Sequence, residues 1–215
     1  MNREVTARWI KSIGITSVVF LFFSLYLFLR RGYYNDYIIN KVFGSTAAVV
    51  AGLTLLIGPI AHRYKTFASW MALRKELGLL ALGAALTHIV YSVFLLPNKF
   101  PVSWYIKEIT PITLGGIAVL IWLYVASIST SKSIKSLGVD QWRWRQKVGG
   151  HIAFIAIYLH LIIMKYPGWL RWLNGQVKQT PELANPSYPP ASTFVFLIMT
   201  GILIYRGLLA FHKNK

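Results

Sequence analysis

The sequence predicts an all-α integral membrane protein, a six-transmembrane-helix bundle with both termini cytoplasmic. Three observations carry that expectation. The 215 residues are 55% hydrophobic and only 13% charged, against about 25% charged in an ordinary soluble domain. Uncharged runs of about twenty residues, the length that crosses a hydrocarbon core, recur along the chain. Lys and Arg gather between those runs, unequally on the two sides, as cytoplasmic anchors do.

The first run, about residues 9–29, follows a short basic start and is closed by Arg30 and Arg31. No small-residue cleavage site stands out, so it reads as a retained helix and not as a removed signal peptide. The second, about 42–61, is closed by His62, Arg63 and Lys65. The third, 77–96, starts behind the charged triplet Arg74-Lys75-Glu76 and stops at Pro97. The fourth, about 109–129, leads into a polar run from Ser129 to Ser136. The fifth, about 148–166, is closed by Pro167-Gly168, and the sixth, about 191–211, ends in a basic tail. Fifteen Lys and Arg fall on the side of the termini and eight on the other, which places both termini inside. The longest loop, about 167–190, then lies outside. Its Trp169, Trp172, Tyr188 and prolines suit either an interfacial platform or an aromatic belt over a flexible turn. No repeat and no soluble domain is visible, so residues 1–215 read as one bundle.

Composition also narrows the chemistry. The net charge of +17 is interrupted by apolar runs, so it speaks for membrane anchoring and not for nucleic acid. Cysteine is absent, which removes disulfides, iron–sulfur clusters and thiol chemistry. There is no GxGxxG loop for a dinucleotide. The carboxylates Glu4, Asp36, Glu76, Glu108, Asp140 and Glu182 sit mostly at loop edges and form no acid–base pair of the kind a hydrolase needs.

The histidines are the chemically informative residues. His212 belongs to the basic tail and His62 to the headgroup level. His88 and His160 are different, because a titratable ring deep inside a span is a functional-site hypothesis by default. His88 lies twelve residues after Glu76, and His160 thirteen after Lys147. At about 1.5 Å per residue both rings reach about 18–20 Å from the inner edge. Two imidazoles at matched depth can supply both axial ligands of a haem iron, an arrangement suited to electron transfer. The alternative is a pair of buried polar side chains bonded to neighbouring helices. Gly78, Gly83, Gly149 and Gly150 precede the two rings, and fit close helix packing as well as a flat cofactor.

With those residues in view, the chain resembles the ferric-reductase-like transmembrane domain family. Within that family it is most similar to the MsrQ-type haem-binding membrane subunits of bacterial periplasmic methionine-sulfoxide reductase systems. The resemblance is carried by LLIGPIAHRY (Leu55–Tyr64), LRKELGLLALGAALTHIVYS (Leu73–Ser92), SIKSLGVDQWRWRQ (Ser133–Gln146) and HIAFIAIYLHLIIMKYPGW from His151, in that order. It implies haem b in the bacterial inner membrane, with His88 and His160 as the axial ligands. It further implies a cytoplasmic flavin reductase or a membrane quinol as donor, and a periplasmic molybdopterin-type reductase as acceptor.

The chain departs from the family pattern at the inner haem. Thirteen residues before His88 and His160 stand Lys75 and Lys147, not histidines. His151 is nine residues before His160 and faces the opposite side of an ideal helix. An inner haem would need His151 and His62. Without it, Arg74, Lys75, Trp144 and Lys147 are the candidates to hold an inner cofactor such as FMN, or a partner. A plain positive-inside anchor explains the same cluster. Two rival functions stay open: direct reduction of ferric or cupric ions, and a non-redox transporter or scaffold in which the histidines relay protons or pack.

Overall fold

The computed structural model describes the backbone of residues 3–213 and side chains as far as residue 209. His212, expected in the tail, has its side chain outside that range. Six helices are long and apolar enough to cross a membrane, as the runs of sequence predict, and they imply a lipid bilayer around the chain. They are α1 (Arg3–Arg31), α2 (Asp36–Arg63), α3 (Arg74–Val90), α5 (Ile109–Ser127), α7 (Val139–Leu173) and α8 (Ala191–Lys213). Two short helices, α4 (Val102–Lys107) and α6 (Ser131–Leu137), lie between them. Leu21, Leu25, Leu120 and Leu197 project from the bundle surface, an apolar exterior that suits lipid.

Three stretches differ from the expected boundaries. The third span is composite: a 3₁₀ segment (Lys65–Leu73) leads into α3, and a π-helical turn (Tyr91–Leu95) prolongs it. The fifth helix runs through Pro167 to Leu173. Proline removes one N–H from the ladder but its fixed φ is helical, and membrane helices tolerate the loss. The same helix begins at Val139, so Trp142–Lys147 form its first turns and not a loop. Gly138, at φ +76°, is the residue that lets α6 stop and α7 start at once.

The second helix is the hub. It packs directly on α1, α3, α7 and α8, and its small residues Thr46, Ala47, Ala48, Ala51 and Gly52 let them come close. A Cβ on Gly52 would sit 2.6 Å from Ile202. Around this hub α2, α3, α5 and α7 form a ring in which neighbours touch: α2 on α3, α3 on α5, α5 on α7, and α7 on α2. Among the described residues the diagonal pair α3 and α7 make no such approach. Arg8 on α1 reaches α3, donating from Nε to Glu76 Oε1 at 3.0 Å.

The long loop is sewn to the end of α1, and is not a loose turn. Its backbone N–H groups of Ala184 and Asn185 donate to the carbonyls of Arg31 and Arg30, and the Asn185 side chain donates to Leu29. These are carbonyls that a helix end leaves without partners. Arg30 and Arg31 return the favour by donating to the carbonyls of Tyr188 and Glu182. Trp169 and Trp172 spend their indole N–H groups on Ser192 and on the Ser187 carbonyl.

Gly32 makes this closure geometrically possible. Its φ is +79°, and a Cβ there would lie 2.9 Å from the Ala184 Cβ. The Gly32→Ala variant is therefore expected to lose about 1–2 kcal/mol, read as a lowered midpoint of thermal unfolding in detergent. The control Gly14→Ala, where a Cβ meets nothing within 4 Å, should leave the midpoint unchanged or raise it.

Candidate functional site

His88 sits near the end of α3, and its Nδ1 lies 2.9 Å from the carbonyl oxygen of Asn40 on α2. His160 sits on α7, and its Nδ1 lies 2.6 Å from the carbonyl oxygen of Pro111 on α5. A carbonyl oxygen can only accept, so in each ring Nδ1 carries the proton and donates. In the neutral ring the remaining lone pair is then on Nε2. The alternative drawn from sequence, a bond to a neighbouring helix, is thus present. It engages one nitrogen of each ring and leaves the other as a potential ligand.

Each ring also has a glycine beneath it. A Cβ on Gly44 would lie 3.1 Å from His88 Nδ1, and a Cβ on Gly115 would lie 3.2 Å from His160 Nδ1. Gly44 is one turn past Asn40 on α2, and Gly115 is one turn past Pro111 on α5. The carbonyl that holds the ring and the glycine that makes room for it therefore share a helix face. The α2–α3 hairpin and the α5–α7 hairpin carry the same device, with carbonyl and ring 48 and 49 positions apart in the chain. No sequence self-similarity announces this duplication.

The structure brings His88 and His160 together across the diagonal of the four-helix ring. The rings are near enough to interact electrostatically, although the backbones of α3 and α7 do not approach each other. Both side chains keep accessible surface while lying well inside their spans. Two imidazoles on opposed helices, each with its Nδ1 engaged and its Nε2 lone pair left over, match the donor set that a bis-imidazole haem requires. The residues present therefore fit that group.

The other candidate residues do not gather in the same way. His62 is exposed at the end of α2. His151 donates from Nδ1 to Lys147 of its own helix, and its charged neighbours are Arg206, Lys147 and Arg74. Lys75, Trp144 and Lys147 are exposed. Arg74 is engaged with backbone: its Nε donates to the Thr54 carbonyl at 3.0 Å. Beside it, Arg206 donates to the Leu55 carbonyl. Pro59 explains the need, because it has no N–H to offer Leu55 four residues back. Trp142 donates to the Ile128 carbonyl and Gln146 to that of Val125, so the first turns of α7 tie down the end of α5.

Sequence reading passed over Asn40, Gly44, Pro111 and Gly115. It looked for small residues on the histidines' own helices, where Gly78 and Gly83 in fact meet nothing within 4 Å. Gly149 is a packing glycine, with Val125 2.6 Å from the place of its Cβ.

Methyl groups at Gly44 and Gly115 are expected to push the rings off their carbonyls by a few tenths of an ångström. Each Ala substitution should cost about 1–3 kcal/mol, measured by thermal unfolding, while Gly83→Ala and Gly116→Ala, with open space at the Cβ, should not. No family model matches this chain, and the chemistry of the site has to be read from its own side chains.

Proposed function

We propose that this protein is a b-type cytochrome of the bacterial inner membrane, with His88 and His160 as the two axial ligands of a haem. One observation supports the reading above the rest. Two rings on diagonal helices are each locked by an Nδ1–H bond to a backbone carbonyl, each lies on a glycine, and each is left with Nε2 free. Metal-bound histidines almost always donate their second N–H in this way, which fixes tautomer and ring plane.

With both axial positions taken, the haem would supply one-electron transfer and no site for an oxygen ligand. The chain's own residues do the rest. Asn40 and Pro111 orient the rings, and Gly44 and Gly115 set how close each ring lies to its neighbouring helix. Helices α2 and α5 complete the wall between the two ligand helices. No carboxylate is within hydrogen-bond reach of either ring among the described residues, so the rings are held by neutral acceptors.

Electrons would enter from a cytoplasmic flavin reductase or a membrane quinol and leave to a periplasmic oxidoreductase of the methionine-sulfoxide reductase type. This part of the proposal follows the resemblance to the ferric-reductase-like family, while the placement of both termini in the cytoplasm follows the bias of Lys and Arg between the spans. An inner cofactor, whether a second haem at His151 and His62 or FMN, belongs to the same proposal. Its cationic neighbours Arg74 and Arg206 are already committed to backbone carbonyls.

The decisive measurement is the absorbance of protein purified in detergent after expression with haem supplied. A reducible b-type Soret and α band is expected, lost in His88→Ala and in His160→Ala and kept in His62→Ala. Pyridine haemochrome should return about one haem per chain for a single bis-imidazole site. A folded, colourless wild type would overturn the proposal and favour a transporter or scaffold. Methionine-sulfoxide reductase coupling absent, with ferric or cupric reduction present in membranes, would keep the cytochrome and change its acceptor.

A further inference from the structure

The two rings are held alike, but the residues that hold them differ. The carbonyl that takes the His88 proton belongs to Asn40, and four residues after His88 stands Ser92. On the other hairpin the same two places are filled by Pro111 and Met164. Proline and methionine side chains have no N–H or O–H to donate, whereas asparagine and serine do. Both of those donations lead back to His88. Asn40 Nδ2 donates to Ser92 Oγ at 3.0 Å, and Ser92 Oγ donates to the His88 carbonyl at 2.9 Å. With the Nδ1–H bond to the Asn40 carbonyl, three hydrogen bonds close a circuit between one residue of α2 and one of α3. Asn40 thereby grips His88 twice, at the ring and at the backbone.

The backbone at this point has a reason to be held. Just past His88, α3 gives way to the π-helical turn Tyr91–Leu95, a form that is rare and often marks functional sites. Carrying its i→i+5 pattern one residue further would pair the Ser92 carbonyl with residue 97, a proline without an N–H. Tyr105 on α4 donates to that carbonyl instead, at 2.9 Å. Ser92 is thus tied to α2 through its hydroxyl and to α4 through its carbonyl. Asn40 is poorly explained as a stabilising residue. It is 1% exposed, and its Oδ1 has no hydrogen-bond partner among the described residues. A buried amide oxygen left unpaired costs stability, and an apolar side chain of similar shape avoids that cost. What the amide supplies is geometry.

We infer that the Asn40 side chain and Ser92 are positioning residues that fix the plane of the His88 ring, so that the two axial imidazoles are held unequally. This rests on the cytochrome reading above and adds which side chains set the ring angle. His88 is locked at ring and backbone together, and cannot turn without breaking the circuit. His160 has only the single bond to the Pro111 carbonyl among the described residues. Partners that orient a ligating imidazole in this way tune the metal as well as the ring.

The test is the electron paramagnetic resonance spectrum of the full chain, loaded with haem, oxidised and purified in detergent. The g values of a low-spin ferric bis-imidazole haem follow the angle between the two ring planes. Asn40→Leu and Ser92→Ala remove the side-chain arm and leave the Asn40 carbonyl in place, while Ser92→Thr keeps the hydroxyl. Wild type and Ser92→Thr are expected to share one low-spin signal with the same largest g value. In Asn40→Leu and Ser92→Ala that value is expected to shift and its line to broaden, while the Soret and α bands persist. The thermal midpoint of Asn40→Leu should be unchanged or raised. A wild-type signal in both Asn40→Leu and Ser92→Ala overturns the positioning role and leaves the histidine site standing. A lowered midpoint with an unchanged spectrum also overturns it, because the arm is then structural only. Should Asn40→Leu fail to fold, the contrast between Ser92→Ala and Ser92→Thr decides the matter. A wild type without a haem band overturns the cytochrome reading and the positioning role with it.

Discussion

The hydrogen bond from each buried imidazole to a carbonyl of the neighbouring helix is the constraint on which the site depends. Inside a bilayer a backbone carbonyl is already used by its own helix, but its oxygen has a second lone pair. Asn40 and Pro111 lend that lone pair to His88 and His160. Several consequences follow from the one contact. The proton is assigned to Nδ1, the ring plane is fixed, and the two helices of each hairpin are drawn together. The close approach in turn penalises any side chain larger than hydrogen at Gly44 and Gly115.

The same economy governs the other polar groups. In an apolar bundle the side chains with hydrogen-bonding capacity mostly serve backbone that the helices leave open. Arg206 serves the carbonyl that Pro59 frees, and Arg74 the one before it. Trp142 and Gln146 serve the end of α5, and the long loop serves the end of α1. Residues that read from sequence as a cationic docking patch are in this way divided. Arg74 is structural, while Lys75, Trp144 and Lys147 stand free on the surface.

The duplication of the ring-holding device gives the bundle its internal logic. Two helical hairpins, α2–α3 and α5–α7, each present one imidazole, and they meet so that the histidine-bearing helices α3 and α7 are opposed and apart. α1 and α8 close the bundle against the hub α2 without entering the histidine site. The diagonal arrangement sets one ring on each of two helices whose backbones stay away from each other.

The sequence by itself determined the six spans, because the hydrophobic length needed to cross a bilayer is a local property of each run. It also singled out His88 and His160, since the rise per residue turns position in a span into depth. It misjudged Pro167 as a helix end, because proline's helical φ let α7 continue, and it took Trp142–Lys147 for a loop that is helix. What only the tertiary structure decided is the company the rings keep. Asn40 and Gly44 are more than forty residues from His88 in the chain, and Pro111 and Gly115 as far from His160. A glycine on one helix makes room for a ring on another only once helix packing sets their rotation, and packing in lipid is a contest of close contacts that no single run of sequence records.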